Sequence, residues 1–253
     1  SRLAFADRAK YMADSDFLPV PVEGLTDRGY TMDRSKLIDP TKDMGQAQAG
    51  TPPIKHASID FAPQRSPQPQ GTSHMSIVDD SGEAVAMTTT VESVLGSKMM
   101  AKGFILNNQL TDFSFDPVID GKPVANAPAP KKRPLSAMSP TIVFDAKGKF
   151  KIATGSPGGP LIIDYTAQSI INLIDGRETP AQAAAEPHVA NVNSPTLIEK
   201  GTSAEKLIPQ LQAMGHQIAE PIVEQSGVNI IERVGGGYRG AADPRRDGNA
   251  RGD

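Results

Sequence analysis

Two stretches of this chain are built alike, with short runs of β-branched and apolar residues on either side of an Asp/Gly turn. In the first, Ser73-His74-Met75-Ser76-Ile77-Val78 and Ala84-Val85-Ala86-Met87-Thr88-Thr89-Thr90-Val91 flank Asp79-Asp80-Ser81-Gly82. In the second, Thr141-Ile142-Val143-Phe144 and Phe150-Lys151-Ile152-Ala153 flank Asp145-Ala146-Lys147-Gly148. Asp and Gly accept the backbone angles of a tight reversal, and β-branched side chains pack on a pleated surface, so both stretches read as hairpins. Helices are expected after the second pair. Leu161 to Ile174 places Leu161, Ile162, Tyr165, Ile170, Leu173 and Ile174 at the spacing of a buried helix. Thr179-Pro180-Ala181 opens another, with Thr179 as its cap and Pro180 in the first helical position. Ser203 to Met214 reads as a third, closed by Gly215. Short strands are expected at 217–219 and 228–233, then a turn at Gly235-Gly236-Gly237. Strand pairs followed by packed helices predict layered α+β structure rather than alternating β-α-β units.

The chain before the first hairpin has a different character. Residues 1–45 read as polar helices, with Leu3, Ala6, Ala9, Tyr11 and Met12 on one apolar face and a short helix from Asp33 to Ile38 ended by Asp39-Pro40. Residues 46–71 are rich in Gln, Pro and Ser and read as a loop or linker. A boundary therefore falls between 71 and 72. Ser1-Arg2-Leu3-Ala4 lacks an initiating Met and does not look like a natural start, so the N-terminus reads as a cut boundary from which any targeting segment could be missing. The longest apolar runs fall far short of the ~20 residues that span a bilayer.

Composition narrows the function classes. A net charge of -3, with Lys131-Lys132-Arg133 as the one tight basic run, gives no electrostatic case for nucleic acid. There are no cysteines, which excludes disulfides and thiolate metal sites. His56, His74, His188 and His216 are scattered, with no pair at metal-ligand spacing. The C-terminal Arg251-Gly252-Asp253 is a tripeptide common by chance.

Four segments could carry chemistry. Gly71-Thr72-Ser73-His74 joins the linker to the first strand. Cleavage of the Gly71–Thr72 bond would give Thr72 a free α-amine, and a threonine hydroxyl needs such an adjacent base to act as a nucleophile. Otherwise Thr72 is simply the first residue of a strand. Gly155-Ser156-Pro157-Gly158-Gly159 leads into a helix, where free backbone N–H groups can hold an anion or a developing oxyanion; equally, it is a turn that needs glycine. It lacks the Gly-Lys-Ser/Thr ending of a phosphate loop. Asn107-Asn108-Gln109-Leu110-Thr111-Asp112 offers amides and a carboxylate suited to an ammonium, or a capped polar turn. Ser136 and Ser139, within Arg133-Pro134-Leu135-Ser136-Ala137-Met138-Ser139-Pro140, could bind a carboxylate or cap a turn.

In order along the chain, Gly-Thr-Ser-His-Met-Ser, Asn-Asn-Gln-x-x-Asp-Phe-Ser, Arg-Pro-Leu-Ser-x-Met-Ser-Pro-Thr, Gly-Ser-Pro-Gly-Gly and Gly-Ala-Ala-Asp-Pro-Arg resemble the γ-glutamyltranspeptidases from Thr72 to Arg245. Ala6-Asp7-Arg8 and Val20-Pro21-Val22-Glu23-Gly24-Leu25 resemble the end of that family's large subunit. The resemblance implies a four-layer αββα sandwich of the N-terminal-nucleophile hydrolase type. It makes 1–71 the tail of a large subunit and 72–253 a small catalytic subunit released by self-cleavage at Gly71–Thr72. It also implies Thr72 as nucleophile and base, Thr90 as the residue orienting it, and Gly158 and Gly159 as the oxyanion pair. Gln109 and Asp112 then hold the donor's α-amine, with Glu92 in the place of a family asparagine, and Ser136 holds its α-carboxylate.

No metal or organic cofactor is implied. The implied partners are a γ-glutamyl donor such as glutathione, an amino acid or peptide acceptor, and the remainder of a large subunit. That remainder holds the arginine that clamps the donor's carboxylate. The implied location is periplasmic or secreted. Several positions depart from the family pattern. Ala137 replaces a second serine, Met75 replaces an aromatic residue, and Phe113 to Arg133 is a shortened stretch with no tyrosine. These departures leave open a glutaryl-cephalosporin acylase, whose substrate lacks the α-amine. The third reading is a non-catalytic, unprocessed precursor fragment.

Overall fold

The computed structural model describes residues 1–54, 59–65, 71–223 and 226–252. His56, the 66–70 portion of the Pro/Gln-rich linker and Asp253 lie outside these residues. The helices are α1 (Arg2–Tyr11), α2 (Val22–Leu25), α3 (Arg28–Ser35), α4 (Ile162–Ile174), α5 (Pro180–Ala185) and α6 (Ile208–Ala213). The first six strands are β1 (Thr72–Val78), β2 (Ala84–Thr90), β3 (Met100–Ala101), β4 (Phe104–Ile105), β5 (Val118–Ile119) and β6 (Lys122–Pro123). The rest are β7 (Thr141–Phe144), β8 (Phe150–Gly155), β9 (Val189–Ala190), β10 (Leu197–Ile198), β11 (Asn229–Val234) and β12 (Gly237–Ala242).

Both expected hairpins form. β1 and β2 pair antiparallel over their full length, Thr72 opposite Thr90 and His74 opposite Thr88. The second hairpin, β7–β8, is extended to an antiparallel sheet of order β12-β11-β8-β7. The first hairpin packs across this sheet, touching β7, β8 and β11. Side chains alternate along a strand, so one face of the hairpin (Thr72, His74, Ser76) meets the sheet. Asn229 Nδ2 donates to the His74 carbonyl at 3.0 Å and ties the layers together. Gly155, at the end of β8, lies under the His74 imidazole, where a Cβ would come within 2.4 Å of Cε1. The opposite face of the hairpin exposes Met75, Ile77, Val85 and Met87.

The far side of the four-stranded sheet is covered by α4 and α5. Ile152, Leu161, Tyr165, Leu173, Ala184, Val228 and Ile230 form the core between them. α5 has the expected Thr179 cap, completed by Gln182, whose side chain accepts from the Thr179 N–H at 3.0 Å. Arg245 pins the C-terminal end of α5. It donates to the carbonyls of Ala184 and Glu186 and pairs with Glu199 (2.6 Å) and Asp243 (3.0 Å). The described residues thus hold a mixed α/β arrangement of hairpin, sheet and helices.

The N-terminal segment is anchored by charge. Asp7 accepts from Tyr30 Oη at 2.8 Å and Arg34 Nη2 at 3.1 Å, which seats α3 on α1. Asp14 accepts from Arg133 Nε at 3.1 Å and Nη2 at 2.7 Å, joining this segment to the chain after the linker.

The fold corrects several expectations in detail. α1 buries Phe5, Ala6, Asp7 and Tyr11, whereas Leu3 and Ala9 are only half-buried. Its polar Asp7 is inside because Tyr30 and Arg34 satisfy it. α3 starts earlier than Asp33 because Asp27 caps it, accepting from the Tyr30 N–H at 2.8 Å. The helix expected from Ser203 to Met214 is a 3-10 turn (Ser203–Leu207) followed by α6. Pro209 has no N–H to continue an α-helical ladder back to Glu205. The strand expected at 217–219 is an isolated bridge from Ile218 to Thr196. β12 was not expected, because Gly-Tyr-Arg-Gly-Ala-Ala carries little strand signal.

Candidate active site

Thr72 begins β1 and Thr90 ends β2, so pairing in register sets their side chains on the same face. Thr72 Oγ1 donates to Thr90 Oγ1 at 3.1 Å. Thr90 Oγ1 donates in turn to the Gly71 carbonyl at 2.7 Å and accepts the Glu92 N–H at 2.8 Å. One hydroxyl therefore contacts the Thr72 hydroxyl, the carbonyl before Thr72 and the next turn of chain. Gly71 is confined, since a Cβ there would come within 2.4 Å of the Ser93 carbonyl carbon. The Thr72 carbonyl accepts from Arg246 Nη1 at 3.3 Å.

A small pocket opens over this pair. It is lined by Thr72, Thr90, Glu92, Gln109, Asp112, Ser136, Ala137, Met138, Gly159 and Ile162. Seven of the residues singled out from sequence thus meet at one place although they are spread over 88 positions of the chain. Gly158 is not in the lining. It sits one residue behind, at φ 139°, where a Cβ would come within 2.4 Å of Tyr165 Cε2. Gly159 has φ 59°. Both angles lie in the region that favours glycine. A 3-10 turn (Gly159–Leu161) then runs into α4. Ser156 fixes the start of the loop, donating to the Pro157 carbonyl at 2.7 Å and accepting the Gly227 N–H at 3.1 Å.

One wall of the pocket is acidic, with Glu92 and Asp112 in its lining. The 3-10 turn Gln109–Asp112 puts Gln109 Nε2 on Asp112 Oδ2. Glu92 Oε2 accepts from Asn108 Nδ2. Glu92 is 4% exposed and holds φ 79°, an unusual backbone angle for a residue with a Cβ. Its Oε1 is buried without a partner. Burial and the nearby Glu92 carboxylate push Asp112 up to about 6. Asn126 supports this wall: buried, it donates to the Asp112 carbonyl at 2.7 Å and accepts the Leu135 N–H at 3.0 Å, next to Ser136. Ser136 Oγ accepts the Met138 N–H at 3.1 Å.

Sequence reasoning missed Asn108, Thr111 and Asn126, which hold the acidic wall, and Met138 and Ile162, which complete the lining. Asn108 and Thr111 lay inside a segment already marked; Asn126 carried no local signal. Ser139 is spent on the Ala137 carbonyl (2.9 Å) and does not line the pocket. No group of His, Asp and Glu among the described residues could hold a metal ion. No helix among them is long and apolar enough to cross a membrane.

A hydroxyl on the first residue of a strand and the first residue of the 3-10 turn before α4, Gly159, thus share the lining of one small pocket. The comparisons place it more closely. The gamma-glutamyltranspeptidase family model matches residues 1–252, and the chain belongs to that family. It is 37% identical to the glutathione hydrolase proenzyme of Escherichia coli over 255 residues, covering 96% of this chain and 42% of that protein. It is 30% identical to the acylase ACY 1 proenzyme of a Pseudomonas species, covering 98% of this chain and 41% of that protein. A crystal structure of a Helicobacter pylori gamma-glutamyltranspeptidase mutant matches it with a TM-score of 0.62 at 35% identity, covering 68% of this chain and 99% of that one. The chain therefore spans less than half the length of these curated relatives.

Proposed function

We propose that this chain carries the nucleophile and most of the donor pocket of a γ-glutamyltransferase that is also a glutathione hydrolase. The observation that carries this reading is the single pocket shared by Thr72, Thr90, Glu92, Gln109, Asp112, Ser136 and Gly159. In the uncut chain the Thr72 hydroxyl attacks the Gly71 carbonyl carbon, and the acyl group passes from nitrogen to oxygen. The shift breaks the Gly71–Thr72 C–N bond and frees the Thr72 α-amine, and water then hydrolyses the ester, releasing the Gly71 carboxylate and restoring the Thr72 hydroxyl. Thr90 serves this step by holding both the hydroxyl and the carbonyl oxygen. Residues 1–71 become the tail of a large subunit and residues 72–253 the small subunit.

The freed amine is the base for the second reaction. It takes the Thr72 hydroxyl proton as the oxygen attacks the γ-glutamyl carbonyl, and the departing amine takes that proton on leaving. Negative charge on the carbonyl oxygen develops against the N–H groups of Gly158 and Gly159, which are fixed before the reaction begins. The resulting γ-glutamyl ester on Thr72 is resolved by water or by the amine of an amino acid or peptide. Glu92, Gln109 and Asp112 receive the donor's α-ammonium, and Ser136 receives its α-carboxylate.

Ala137 offers no second hydroxyl, so the charged partner for that carboxylate comes from the remainder of the large subunit. The same remainder covers the apolar outer face of the first hairpin and completes an αββα sandwich. The exposed Met75, Ile77, Val85 and Met87 fit such a layer. A periplasmic or secreted location goes with this reading.

The second reading is a glutaryl acylase, favoured by Ala137 in the pocket and by the acylase relative. An acidic wall argues against it, because a glutaryl group brings no ammonium to balance two carboxylates. The test compares turnover of γ-glutamyl and glutaryl anilides by the full-length protein. The account expects the γ-glutamyl compound to be cleaved at least about a hundredfold faster, as for a site left with unpaired polar groups by the wrong substrate. Faster cleavage of the glutaryl compound would establish the acylase. Cleavage of neither, with Gly71–Thr72 intact, would leave an unprocessed precursor.

A further inference from the structure

The acidic wall contains one more negative charge than a single ammonium requires. Glu92 and Asp112 are both buried, at 4% and 8% exposure, and line the same small pocket, where the Glu92 carboxylate raises Asp112. Two carboxylates this close do not both stay ionised without a neighbouring cation. The groups facing Asp112 are Glu92 from the turn after β2, Gln109 from its own turn and Arg8 from α1. Arg8 is the weakest of these influences and makes no ion pair among the described residues; burial lowers it to about 10. The nearest other titratable side chain along β1, His74, is occupied by Thr88 (2.8 Å) and Ser76 (3.1 Å) and does not line the pocket. Arg8 therefore offsets only a small part of the pair's charge. Glu92 Oε2 is engaged by Asn108, but its buried Oε1 has no partner and waits for a donor.

We propose that Glu92 and Asp112 act as one receptor that exchanges a proton for the substrate's α-ammonium. With the pocket empty, Asp112 holds a proton and donates it to Glu92. When the ammonium enters, it supplies the positive charge and the hydrogen bonds, the proton leaves to solvent, and both carboxylates stand ionised around it. A ligand without an ammonium cannot displace the proton and meets a pair that still carries one negative charge. Capture is thus coupled to pH. The empty pocket has its raised Asp112 near 6, and the filled pocket holds it lower. Binding therefore releases a proton below about pH 6, releases none well above it, and weakens as the pH falls through that value.

This rests on the reading that the pocket takes the donor's α-amine, and the experiment separates the two. L-glutamate is titrated into the processed, full-length protein by calorimetry in buffers of differing ionisation enthalpy, at about pH 5.5 and about pH 8. The expected result is release of at least about half a proton per glutamate at the lower pH and close to none from this pair at the higher. Glu92→Gln removes the like charge, and its release per glutamate bound at the lower pH falls to a small fraction. Asp112→Asn, a second variant that keeps the side-chain shape, loses it as well. The Thr72 α-amine is present in all three proteins, so the difference between them belongs to the pair. Binding with no release from the unaltered protein, or release unchanged in both variants, overturns the exchange and leaves the amine site standing. No binding of glutamate at either pH overturns both.

Discussion

Gly158→Ala is expected to lower turnover of a γ-glutamyl anilide by about two to three orders of magnitude, the usual cost of losing an oxyanion donor. The new methyl would lie 2.4 Å from Tyr165 Cε2, and Tyr165 is 1% exposed in the core. It cannot swing away, so the loop must move. At φ 139° the alanine is strained as well. Both effects displace the N–H groups of Gly158 and Gly159, whereas Glu92, Gln109, Asp112 and Ser136, the proposed donor contacts, belong to separate segments. The fall should therefore appear in kcat with KM changed by less than about threefold. Thermal melting of the variant checks that the core around Tyr165 survives. An equal loss through KM alone would mean that the loop only binds substrate.

Thr90→Val should slow two reactions at once. Valine keeps the branched shape that suits a strand, but removes an oxygen with three partners: the Thr72 hydroxyl, the Gly71 carbonyl and the Glu92 N–H. Scission of Gly71–Thr72 is expected to slow by roughly ten- to a hundredfold, the value of one or two well-placed hydrogen bonds. Turnover of the fraction that does cut should fall by a similar factor, because the nucleophile is no longer aimed. A time course of fragment masses gives the first rate and anilide turnover the second. Thr90→Ser should restore most of both. Unimpaired scission in Thr90→Val would show that the contact to the Gly71 carbonyl is incidental.

These effects trace back to features of unequal visibility in the sequence. The first hairpin was legible because Asp79-Asp80-Ser81-Gly82 specifies a reversal and Thr88-Thr89-Thr90-Val91 favours a strand. Its register then follows from the turn and brings Thr72 to Thr90 without further information. The start of α5 was legible to the residue, because a Thr cap and a first-turn Pro act locally. β12 was not, since it is held as a strand by pairing with β11 rather than by its own side chains. The site shows the same division. Contiguous motifs marked Gln109, Asp112, Ser136 and the glycine loop. Arg246 on the Thr72 carbonyl and Arg8 facing Asp112 depend on chain separations of 174 and 104 residues, for which no local pattern exists. The coupling of Glu92 to Asp112 could not be read from spacing either; it comes from burying both carboxylates in one wall.

The central claim is that Thr72 becomes a chain start and then carries the acyl group. The most direct measurement is the mass of the purified full-length protein before and after brief exposure to a γ-glutamyl donor, quenched in acid and mapped by peptides. The account predicts two fragments separated at Gly71–Thr72, with one γ-glutamyl group added to the peptide that begins at Thr72, and neither event in Thr72→Ala. A single uncut species, or a γ-glutamyl group carried on any other residue, would contradict it.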